Sequence, residues 1–125
     1  MRDLVIQLTN RPGELAGITN SLSLQGVNIK SLAAITLGNQ AVLRLIPDDL
    51  EAARSALRAG NIRFEESEVI TVLLENRAGE LTGVAAKLAD AGVNLEAVYV
   101  VGLAGDVIEL AIAVDDVKKA KRVLE

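Results

Sequence analysis

"NRPGELAGITNSLSLQGVNI" occupies Asn10–Ile29, and "NRAGELTGVAAKLADAGVNL" occupies Asn76–Leu95; the two agree at 10 of 20 positions without a gap. Self-similarity at a fixed spacing marks one architectural unit written twice. The offset is 66 residues through the first half of each unit and 67 later, where "DDL" (Asp48–Leu50) answers "DDV" (Asp115–Val117). The extra residue is expected in the turn between Leu103 and Leu110, because turns tolerate insertions. The repeat divides the chain into residues 1–67 and 68–125.

Each unit reads strand, helix, strand, strand, helix. "DLVIQLT" (Asp3–Thr9) and "VITVLLE" (Val69–Glu75) are β-rich openings. Leu15, Ile18 and Leu22, echoed by Leu81, Val84 and Leu88, fall on one helical face. Gly26 and Gly92 stop these helices, as glycine does at a left-handed C-terminal position. Further strands begin at Val27 and Val93, and turn at Gly38-Asn39 and at Ala104–Asp106. Leu43 and Leu45, with Leu110 and Ile112, are expected under the helices. The second helices carry Leu50, Ala53 and Leu57, against Val117, Ala120 and Leu124. The first unit adds a strand over Asn61–Glu66, whereas Glu125 matches Arg58, inside a helix. The fold class is therefore α+β: two ferredoxin-like βαββαβ units with antiparallel sheets and helices on one face, the second unit lacking its last strand. In that order the loss leaves "VITVLL" on an edge, and bare edges are sticky. Either the Asn61–Glu66 segment rearranges over it or a second chain covers it, and a homodimer is expected.

Half of the residues are apolar, yet Phe64 and Tyr99 are the only aromatics, so the core must be aliphatic. Cysteine and histidine are absent, which removes disulfides, thiolate nucleophiles, imidazole bases and the usual zinc and haem ligands. No cofactor is expected. A net charge of −4 and two aromatics offer neither a basic stripe for duplex nor stacking platforms for single strands, so nucleic acid is not an expected partner. Apolar runs such as Ala97–Gly105 fall short of the ~20 residues of a membrane helix, and Met1–Asn10 has no signal-peptide core. A cytoplasmic protein is expected.

The order strand, Asn-Arg-Pro-Gly-Glu-Leu, helix, Gly-Val-Asn-Ile resembles the ACT domain, the small regulatory module of amino-acid metabolism. Both copies carry it, and together they cover nearly the whole chain, as in stand-alone tandem-ACT proteins. The resemblance implies a non-enzymatic regulatory or sensor protein that binds a free amino acid or similar metabolite at the interface of two ACT units. The family's binding loop falls on Asn10, Arg11, Pro12, Gly13, Glu14 and Leu15, and on Asn76, Arg77, Gly79, Glu80 and Leu81. The start of a neighbouring unit's second strand adds Asn28 and Ile29, or Asn94 and Leu95. Ala78 departs from the pattern where proline is usual, which releases a fixed φ.

These residue types suit a zwitterion. A helix N-terminus presents unsatisfied N–H donors and a favourable dipole to a carboxylate. Gly13 and Gly79 let a ligand reach the backbone. The amides of Asn10 and Asn76 both donate and accept. Plain structural roles stand beside these: Asx turns for Asn10 and Asn76, turn bonding for Asn28 and Asn94, and dipole compensation for Glu14 and Glu80. Asp48-Asp49 and Asp115-Asp116 read as helix N-caps rather than catalytic pairs, because each precedes a helical pattern. A ligand-independent regulatory subunit of a partner enzyme is the alternative function. An acylphosphatase-type hydrolase lacks a phosphate-cradling loop.

Overall fold

The computed structural model describes residues 1–125. Its elements are β1 (Arg2–Thr9), α1 (Glu14–Leu24), β2 (Ile29–Leu37), β3 (Gln40–Pro47), α2 (Leu50–Ala59), β4 (Glu65–Glu68), β5 (Ile70–Glu75), α3 (Glu80–Asp90), β6 (Leu95–Ala104), β7 (Val107–Val114) and α4 (Val117–Leu124). They form two compact units, Arg2–Ser67 and Glu68–Glu125, the latter joined by Met1 through a 2.8 Å bond from the Val69 N–H to the Met1 carbonyl.

In the first unit the sheet order is β2-β3-β1-β4, with β3 antiparallel to β1 and β2. Period-two alternation puts Leu4 and Ile6 opposite Leu45 and Leu43 on one face. There they pack with Ile18 and Leu22 of α1 and with Ala53, Ala56 and Leu57 of α2. The second unit repeats this as β5-β7-β6. Leu110 and Ile112 lie beneath Leu88 of α3 and Ala120 of α4. The architecture is thus α+β, two ferredoxin-like units, the second with one strand fewer.

Helix ends follow from their residues. In α1 the Val27 N–H bonds the Leu22 carbonyl and the Gly26 N–H bonds the Ser23 carbonyl, with Gly26 at φ 72. This is the Schellman arrangement, repeated in α3 by Val93, Leu88, Gly92 and Ala89. Helix α2 ends the same way on Asn61, at φ 55 the one non-glycine residue with positive φ. Asp49 and Asp116 cap α2 and α4 by accepting from the N–H groups of Ala52 and Lys119, both at 3.0 Å.

Three expectations are corrected. The last strand of the first unit is Glu65–Glu68, not Asn61–Glu66, because Asn61 and Ile62 are spent closing α2. It lies beside β1, so this segment is not rearranged over β5. The extra residue of the second unit is not in the turn. Leu37 pairs with Gln40 and Ala104 with Val107, so both turns have two residues. The register instead shifts between Val100 and Gly102, making Val101 a β-bulge. Leu15 and Leu81 do not join the core; they are 40% and 48% exposed. Each lies about 60° around the helix from the inward residue three positions on.

Candidate functional site

The two repeated loops have the same construction. Gly13 and Gly79 are the N-cap residues of α1 and α3, both at φ 91, in the left-handed region. A side chain at either would meet nothing within 4 Å. The glycines are therefore required by backbone conformation, and they leave the helix start open. Neither helix has a side-chain cap. The first intrahelical bonds run from Gly17 to the Gly13 carbonyl at 2.9 Å and from Gly83 to the Gly79 carbonyl at 3.1 Å. Within one chain, α2 and α4 carry aspartate caps while α1 and α3 have no side-chain cap, the Glu14 and Glu80 N–H groups only reaching the Arg11 and Arg77 carbonyls at 3.4 Å.

The charged residues of the loops pair with each other. Arg11 donates to Glu14 at 2.6 Å, and Arg77 donates to Glu80 at 3.0 Å and to Glu75 at 2.7 Å. Glu14 and Glu80, in the first helical turn, complement the dipole and are themselves neutralised. Pro12, Leu15 and Leu81 are exposed on the same loops. The Asn10 N–H bonds the Asn39 carbonyl at 2.7 Å, and its side-chain amide donates to the Gly38 carbonyl at 3.2 Å. Asn76 matches it in backbone, bonding the Asp106 carbonyl at 2.6 Å. Each loop is thus latched to the hairpin turn of its own sheet.

Asn28 and Asn94 sit elsewhere. The Asn28 N–H donates to the Asp48 carboxylate at 3.1 Å, and the Asp48 N–H donates to the Asn28 carbonyl at 2.9 Å. Asn94 and Asp115 repeat the exchange, with a third bond from the Asn94 side chain at 3.2 Å. Asn28 and Ile29 open β2, while Asn10 bonds the turn that closes it. The nine residues of β2 separate the two groups, roughly 26 Å at ~3.3 Å per residue. Within one unit, then, the loop residues come together and the strand-start residues do not join them. The Asn–Asp exchange was not foreseen. Its signal is the coincidence of two echoes, Asn28 with Asn94 and Asp48 with Asp115.

No protein-family model and no curated protein matches the chain. Solved structures do. Protein BT0572 from Bacteroides thetaiotaomicron is 26% identical at a TM-score of 0.88, over 98% of this chain and 85% of that one. The ligand-free regulatory subunit of aspartate kinase from Thermus thermophilus is 15% identical at 0.65, over 98% and 89%. The aspartokinase alpha and beta subunits align at 15% and 0.64, over 98% and 88%. With its duplicated loop–helix units the chain shares the two-unit fold of these structures along nearly its whole length, and the resemblance to tandem ACT proteins holds at the level of fold.

Proposed function

We propose that this protein is a non-enzymatic regulator that binds a free amino acid, or a metabolite of that size, at an interface of ACT units. The observation that carries the reading is the selective absence of caps on α1 and α3. Helix starts without a side-chain cap suit a carboxylate, and the Asn10 and Asn76 loops hold them at the ends of their sheets. The ammonium would meet carbonyls at the start of a neighbouring unit's second strand, Asn28–Ile29 or Asn94–Leu95. The fold shared with an aspartate kinase regulatory subunit supports a regulatory role. A cytoplasmic homodimer is the form we assign to it.

The test is thermal denaturation with each common amino acid at millimolar concentration. Occupancy raises stability by mass action, by about 2.7 kcal/mol at a hundredfold excess over Kd. At least one amino acid should raise the melting temperature; no shift with any of them rejects the reading.

A second reading is favoured by one observation. Ile35, Leu37 and Leu103, on the edge strands β2 and β6, are 71%, 83% and 73% exposed. Such residues suit a protein partner, and a regulatory subunit of an enzyme would use them. Co-purification of a stoichiometric enzyme with no bound metabolite would select this alternative.

A further inference from the structure

The first unit holds a cleft of about 1060 Å³ that the loops do not border. One wall is the ridge Glu51, Arg54 and Arg58 of α2, one helical face at i, i+3 and i+7. Facing it are the connector Ile62–Phe64, the first residues of β4, and Val5 and Gln7 of β1. The cleft exists because β4 has four residues against the eight of β1, so at least half of the outer edge of β1 is uncovered. The connector is fixed by the left-handed Asn61 and by Gly60, where a Cβ would come within 3.1 Å of Ser21 Oγ and 3.3 Å of Ile62 Cδ1.

Its charges are unevenly used. Arg54 is engaged: it donates through Nε and, at 3.0 Å, through Nη2 to Glu66, and through Nη1 to Glu51. That fork ties α2 to β4, and with Arg2 3.9 Å from Glu66 two guanidiniums balance the two carboxylates. Arg58 and Arg63 form no ion pair. The Arg58 guanidinium lies over the Phe64 ring at 5.8 Å, which orders it while its N–H edges stay available. Among the acids of the cleft, Glu65 alone makes no ion pair. With Arg2 counted beside Glu66, four guanidiniums stand against three carboxylates around the cleft, and the two outside any ion pair, Arg58 and Arg63, stand against Glu65 alone on a chain of net charge −4.

From this geometry we infer that the cleft is a second binding site, taking a small organic polyanion with carboxylate or phosphate groups. Arg58 and Arg63 hold the anionic groups, Gln7 offers an amide, and Ile62, Phe64 and Val5 give an apolar floor. The residue that matches Arg58 in the second unit is Glu125, so the chain carries one such site. It is independent of the loops, and its success or failure leaves the amino-acid reading untouched.

The test is a two-dimensional NMR titration of the full chain at low salt, with pyrophosphate in one arm and citrate in the other. Saturable shifts of the Arg58 and Arg63 Nε–H groups and of the Ile62–Glu66 amides are expected in at least one arm. Which arm responds assigns phosphate or carboxylate chemistry. The double variant Arg58→Gln, Arg63→Gln should bind at least tenfold more weakly. Glu65→Gln should bind about two- to fivefold more tightly, from removal of an exposed like charge. Arg122→Gln, which removes one charge from α4, should bind like the wild type. Saturation in neither arm, shifts spread over all arginines, or an Arg122→Gln loss equal to that of the double variant would each overturn the inference.

Discussion

Four residues apart at the start of one helix, two glycines do opposite things. Gly13 is at φ 91, where a side chain costs about 1–2 kcal/mol although nothing stands in its way. Gly17 lies inside α1, where a side chain would again meet open space. Gly13→Ala should therefore lower the urea-unfolding stability by about 1–2 kcal/mol, and Gly17→Ala should raise it by about 0.5–1 kcal/mol. Loss of stability in Gly17→Ala would show that another surface packs there in solution. At the same scale, the Arg54 hydrogen bonds hold the Glu66 carboxyl below its ordinary range, helped by the charges of Arg54, Arg2 and Arg58 and opposed by desolvation. A lowered folded pKa contributes stability that is complete above the unfolded value, near 4.5. It is lost as pH falls through the folded value. Glu66→Gln should flatten the acid limb of the stability–pH curve below that point and leave the variant less sensitive to acidification. The role of Gly13 was only half legible in the sequence. Its place at a helix start shows in the motif, but a left-handed φ leaves no mark beyond the glycine itself.

At the scale of elements, the sequence carries most of what the structure shows. Leu4 and Ile6 against Leu43 and Leu45 follow from alternation, and Gly26 and Gly92 end their helices as their position implies. Where the pattern misleads, a local bond overrides it. Asn61–Phe64 alternates like a strand, but the Asn61 and Ile62 N–H groups bond back to Arg58 and Leu57. The residue inserted near Val101 is invisible as a bulge, because an offset of one looks the same in a turn or a strand. The aspartate pairs divide their labour: Asp49 and Asp116 cap helices, while Asp48 and Asp115 hold Asn28 and Asn94. Asp116→Ala should cost about 1 kcal/mol, seen as earlier thermal unfolding. Asp115→Ala should release Asn94, visible as faster amide exchange at that residue, with the start of α4 protected as before.

For the whole molecule, we propose that the two units present helix starts without side-chain caps to a ligand carboxylate. The copies differ: Pro12 stiffens the first loop and Ala78 relaxes the second, so single occupancy should fall on the Asn10 loop. Aspartate is among the non-glycine residues that best tolerate a left-handed backbone. At position 13 it would set its own carboxylate against the helix start, where a ligand carboxylate belongs. Isothermal titration of the wild type and of Gly13→Asp against the common amino acids tests the claim most directly. Saturable binding of at least one amino acid by the wild type, and its loss in Gly13→Asp, are expected. Binding that persists unchanged in the variant, or no binding by the wild type at millimolar concentrations, would contradict it.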